Sequence, residues 1–233
     1  MSDFTFTLVS EALDLWNDAL VQIGREELTA AGLDAATSDQ SDVERICDRN
    51  FHKWVKYVLR QGGFRSIEKR YALSTLATNT EGGFLYKFTI PSDFLRLNYI
   101  FPTGYWHFPS NSFDNFIDYQ IENGSLLTNV SGISIGYNHY PAVTGIADAA
   151  TVTSLWNGYI QSWSETLRET IVAFLAHRVC FPLKKDRQLA MDQLEIYRGY
   201  LMTAKMEDAT QKADNLRPDG PLIMARGHGS WWW

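Results

Sequence analysis

The chain has 233 residues, of which 45% are hydrophobic and 14% aromatic, enough for a sizeable core and too apolar for a wholly disordered protein. Its formal net charge of -6 argues against a free-standing nucleic-acid binder, for which a basic balance is expected. This length suits one large domain, or one domain carrying an insertion.

Only Cys47 and Cys180 occur, each among apolar neighbours, so two buried thiols in a reducing compartment are expected rather than a disulfide. The opening residues include Asp3, Glu11, Asp14 and Asp18, which the apolar stretch of a signal peptide would not tolerate. The run Ile171 to Ala176 is too short to cross a bilayer, and no membrane partner is expected. The triplet Asn129-Val130-Ser131 matches a glycosylation acceptor, read as chance in a chain expected to stay in cytosol-like surroundings.

The first helix is predicted over Ser10 to Ile23. Leu13, Trp16, Leu20 and Ile23 form an apolar face, with Glu11, Asp14 and Asp18 opposite and Gly24 as the stop. Small and polar residues, Thr29 to Gln40, form a loop. Ser41-Asp42-Val43-Glu44 then reads as a capping box opening a helix to about Gln61, ended by Gly62-Gly63. Val43, Cys47, Phe51, Trp54 and Val58 form its buried stripe. Arg45, Arg49, Lys53, Lys56 and Arg60 fall within an arc of about 80° on the other side.

From Phe84 the period changes to two. Phe84, Tyr86, Phe88 and Ile90 alternate with Leu85, Lys87 and Thr89, and Pro91 closes the strand. Leu95 to Phe101 is a second extended segment. Asn123-Gly124 signals a hairpin between strands at Asp118–Ile121 and Ser125–Thr128, because both turn positions must tolerate positive φ. Ile133, Ile135 and Tyr137 alternate again. Helical pattern returns after Trp156, with Ser162-Trp163-Ser164-Glu165 as a second capping box and a helix through Leu167, Ile171, Phe174 and Leu175 to Cys180, where Pro182 ends it. The last helix is predicted over Lys184 to Asp208, burying Leu189, Leu194, Tyr197, Leu201 and Ala204. The expected class is therefore α+β. Its parts are an N-terminal helical part (1–79), an inserted antiparallel β-rich block (80–145), a C-terminal helical part completing a bundle (146–208) and an extended tail (209–233). That tail has no period and ends Trp231-Trp232-Trp233. Each indole can bury roughly 150–250 Å², so docking into a groove of the same or another subunit is expected.

Catalytic patterns are missing. The five histidines have no zinc spacing, and neither a phosphate-cradling glycine loop nor a nucleophile elbow is found, so no enzyme activity, metal or cofactor is expected. Asp14 and Asp18 sit four apart on one helix, where a solvated acidic face is the plainer reading than a catalytic pair. The basic stripe reads as a solvated face, as a contact for a partner's acidic surface, or as a phosphate contact. Opposite stripes on different faces of one subunit suit head-to-tail contacts, which close into rings. The residues assigned to that contact are Glu11, Asp14, Asp18, Arg45, Arg49, Lys53, Lys56 and Arg60.

The order of motifs resembles the tail tubular protein A family, the head-to-tail adaptors of short-tailed phages, related to head-completion proteins. Ala19-Leu20-Val21-Gln22-Ile23-Gly24 resembles the family's opening A-L-x-x-I-G helix. Ile90-Pro91-Ser92-Asp93-Phe94-Leu95-Arg96 resembles its L/I-P-x-D-x-L-R turn and is the most specific match. The Asn123-Gly124 hairpin, the Ile133–Tyr137 strand and the two closing helices keep the family order, over roughly residues 8 to 208. Where the family carries a tryptophan-containing stretch, this chain has Gly63-Phe64-Arg65. The resemblance implies a virion structural protein at the portal vertex, assembled in the host cytoplasm. It implies a homo-oligomeric, dodecameric ring that docks under the portal protein, accepts a tail nozzle or other tail protein, and lets genome DNA pass without specific recognition. In that reading Leu222, Ile223, Met224, Arg226, Trp231, Trp232 and Trp233 dock on the portal or a neighbour. The competing expectations are a virion-associated cell-wall glycosidase and another tail-tube or tail-completion subunit.

Overall fold

The computed structural model describes residues 10–29, 42–78, 83–102, 117–142 and 148–215, and over these the chain is α+β. Among the described residues there are five α-helices: α1 (Ser10–Gln22), α2 (Asp42–Leu59), α3 (Ala149–Gln161), α4 (Glu165–Lys184) and α5 (Arg187–Asn215). Seven strands lie between α2 and α3: β1 (Glu68–Ala72), β2 (Thr75–Thr78), β3 (Tyr86–Thr89), β4 (Phe94–Pro102), β5 (Tyr119–Glu122), β6 (Ser125–Thr128) and β7 (Ile133–His139). They form two antiparallel sheets, ordered β1-β7-β4 and β2-β3-β6-β5.

Helix α4 sits centrally. It buries Leu167, Thr170, Ile171, Val172, Ala173, Phe174, Leu175, Ala176, Val179 and Cys180, so it is apolar almost all round and packs on α1, α2 and α5. Helix α1 adds Ala12, Leu15, Trp16, Ala19 and Leu20 to the same core, and α2 adds Cys47, Phe51, Trp54, Val55, Val58 and Leu59. Both cysteines are free and buried. A second, smaller core lies between the sheets, where Phe88 and Leu126 meet Ile133, Ile135 and Tyr137.

Several boundaries differ from the sequence expectation, each for a local reason. The strands begin at Glu68 rather than residue 80: β1 is an edge strand, largely exposed, and Glu68-Lys69-Arg70-Tyr71-Ala72 carries no apolar alternation to betray it. Helix α3 starts at Ala149, well before Trp156, because Asp148 caps it by accepting from the Ala150 and Thr151 amides. Ser162 does not open the next helix. Its amide closes α3, and Ser164 is the N-cap of α4, accepting from the Leu167 amide. Pro182 does not end that helix at Cys180 either, since α4 runs to Lys184 and stops where Lys185 turns left-handed at φ 55°. Helix α5 continues to Asn215, so Ala209–Asn215 is helix rather than tail.

The hairpin matches its expectation within a residue. Asn123 (φ 47°) and Gly124 (φ 72°) join β5 to β6, the double positive φ of a type I′ turn.

A polar joint couples the β block to the helices. Asn138 on β7 is fully buried and donates to the carbonyls of Leu59 (2.9 Å) and Gly62 (2.7 Å) at the end of α2. Its own carbonyl accepts from Asn98 (2.8 Å). Arg96 donates to the Arg60 carbonyl (2.9 Å), placing a cation at the negative end of that helix. Beside it Tyr99 crosses β7 over Gly136, where an added Cβ would lie 2.1 Å from the ring. Only glycine allows that crossing.

Candidate interaction surfaces

The charged helix faces are the first candidate site. Trp16 of α1 packs against Phe51 and Trp54 of α2, with ring centroids 6.2 and 5.9 Å apart. Asp14 and Asp18 lie on the far side of α1 from that contact, and Arg49 and Lys53 on the far side of α2; all four are exposed. Three of the remaining predicted interface residues have side-chain partners inside the chain. Glu11 is bound by Arg168 (3.0 Å) and accepts from Gln161 (2.9 Å), so it belongs to an internal contact between α1, α3 and α4. Arg45 pairs with Asp42 on its own helix. Lys56 lies 4.4 Å over the Tyr140 ring, and its pKa is lowered by burial and then by Arg60. Arg60 is exposed, while its carbonyl is held by Arg96. Of the eight residues, Asp14, Asp18, Arg49, Lys53 and Arg60 are exposed and, among the described residues, form no ion pair; the first four make two pairs on different helices.

The second candidate is a cleft of about 790 Å³ where the three-stranded sheet meets α3. The Ile90–Arg96 turn forms one wall. Asp93 accepts from Lys69 (2.7 Å) on β1 and from the Tyr137 hydroxyl (2.9 Å) on β7, while its carbonyl takes the Tyr140 amide (2.8 Å). Partial burial pushes its carboxyl pKa upward, but the hydrogen bonds from Lys69 and Tyr137 outweigh this and hold it below the ordinary value. Burial, then the bond to Asp93, raises the Tyr137 hydroxyl pKa. His139 also lines the cleft; burial lowers its pKa, and its Nδ1 meets the Ile67 carbonyl at 2.7 Å. Tyr159 donates to the His139 carbonyl (2.6 Å). These groups tie strand to strand and sheet to helix. Asp93 and Arg96, the charged residues of the most specific motif, are both fastenings of the fold.

Among the described residues that line the cleft there is one carboxylate, Asp93, already engaged by a cation and a phenol. Among the described residues no group of three or more His, Cys, Asp or Glu could hold a metal, and no helix is long and apolar enough to cross a membrane. Leu222, Ile223, Met224, Arg226 and Trp231 to Trp233 lie outside the described residues, as does Ser41 of the first capping box. Compared with known family models and with curated proteins, the chain gives no match.

Four residues that matter here were not singled out by the sequence. Asn138 and Asp148 carry no pattern of their own. Val21 (56% exposed) and Tyr57 (50% exposed) were detectable in principle, because each is a large apolar residue off the buried stripe of its helix.

Proposed function

We propose that this chain is a structural subunit of a ring-shaped phage head-to-tail adaptor. It docks beneath a portal, offers a platform for the tail, and surrounds the path of the genome. Its helical bundle forms the ring body, the inserted β block projects as a docking surface, and the segment after Asn215 reaches the portal or a neighbour. The ordered motifs from Ala19 to Gly24 and from Ile90 to Arg96 support the family assignment. The observation that carries ring closure is the placing of Asp14 and Asp18 on one side of the α1–α2 pair and of Arg49 and Lys53 on the other. Two faces of opposite sign on one subunit suit a head-to-tail contact, which closes into a ring when the rotation per subunit divides a full turn.

Native mass with and without the portal protein reads both assembly and partner. Arg49→Glu with Lys53→Glu should impair the ring, and adding Asp14→Lys with Asp18→Lys in the same chain should restore it. Failure of that rescue removes the charged-face argument. A glycosidase would need a second carboxylate facing Asp93 across the cleft. Lysis on a cell-wall zymogram would overturn the structural reading.

A further inference from the structure

The two charged faces share a second feature beyond sign. On α1, Asp14, Asp18 and Val21 fall within an arc of about 60° and rise by about 10 Å along the helix. On α2, Arg49, Lys53 and Tyr57 fall within about 80° and rise by about 12 Å. Each face is therefore two like charges one turn apart, followed one turn later by an exposed apolar residue. Val21 is 56% and Tyr57 50% exposed.

Tyr57 is also held in place. Its ring stacks on Phe174 of α4 at 5.1 Å with an interplanar angle of 15°. The Arg178 guanidinium lies 5.7 Å from the same Phe174 ring and 5.6 Å from Trp54. One face of a large aromatic ring is thus presented to solvent beside Lys53 at little cost in side-chain entropy, the usual character of an interface anchor.

We infer that α1 of one copy docks in parallel along α2 of the next, with Asp14 beside Arg49, Asp18 beside Lys53 and Val21 seated on Tyr57. This rests on the ring reading above and adds its register and its anchor. The antiparallel arrangement would bring Val21 to the Arg49 end and Asp14 to the Tyr57 end, desolvating a charge against an apolar partner at each. The contact does not form within one chain: among the described residues no ion pair joins Asp14 or Asp18 to Arg49 or Lys53. It needs a second copy.

Two full-chain variants test the register by mild oxidation: Val21→Cys with Tyr57→Cys, and Val21→Cys with Arg49→Cys. The native thiols are buried and leave the background low. The first variant should give a ladder of covalently linked copies and the second monomers. A ladder from the second variant, or none from either at a concentration where the reduced double-cysteine chains still assemble, overturns the register and leaves the ring standing. Unsubstituted chain that stays monomeric at every concentration overturns both. A pair without cysteine covers any folding loss: Tyr57→Ser should weaken assembly by about tenfold or more, with Tyr57→Phe close to native. Equal assembly by both would remove Tyr57 as the anchor.

Discussion

Replacing Asn138 by alanine tests whether the polar joint holds the β block to the helices. The side chain makes three hydrogen bonds: two buried ones to the Leu59 and Gly62 carbonyls, and a partly buried one from the Asn98 amide. A typical intramolecular hydrogen bond contributes about 1 kcal/mol net, and leaving a buried partner unpaired costs about 1–3 kcal/mol. The three partners lose their bonds together and the small cavity admits at most partial water compensation, so a loss of about 3–4 kcal/mol is expected. Asn138→Asp should be at least as harmful: it keeps an acceptor for Asn98 but faces two carbonyl oxygens with a carboxylate and no donor. Urea unfolding of the three proteins at matched concentration, with a shared m-value, gives the differences. A loss below about 1 kcal/mol for Asn138→Ala, or an Asp variant as stable as the native chain, would refute the joint as an energetic unit.

Two further perturbations address other parts of the fold. Gly136→Ala should cost about 1–3 kcal/mol by forcing Tyr99 off β7, and adding Tyr99→Ala should recover part of that loss in the same unfolding assay. A purely additive double variant would show that the crossing does not matter. His52 has its pKa lowered to about 4, by burial and then by the charge of Lys56, while its Nδ1 meets the Tyr140 hydroxyl at 2.6 Å. The unfolded chain therefore binds this proton at higher pH than the folded one. Stability should be complete above about pH 6.5 and fall by about 3 kcal/mol as pH drops to 4. A His52→Phe variant should flatten the slope of unfolding free energy against pH in that window, and an unchanged slope would place the titration elsewhere.

Periodicity made the helices legible because an amphipathic stripe is a local property. The stripe through Cys47, Phe51, Trp54 and Val58 is the one that α2 buries, and Asn123-Gly124 determines its own turn through backbone sterics. The charges of Asp14, Asp18, Arg49 and Lys53 were equally plain, since each lies on the polar side of its helix, away from the buried stripe. What a side chain meets across the fold was not legible. Glu11 and Lys56 share stripes with exposed residues, yet one is taken by Arg168 and the other by the Tyr140 ring. Edge strand β1 has no alternation to read, because it is exposed along most of its length and is placed only by pairing with β7. Asn138 and Asp93 acquire their roles from carbonyls and cations brought near by chain closure, over separations as long as the 79 residues between Leu59 and Asn138. Faces and turns were thus determined by neighbours along the chain; the joint, the clasp at the Ile90–Arg96 turn and the stacking of Tyr57 on Phe174 were decided only by tertiary packing, because hydrogen bonds and ring stacks depend on distance in space.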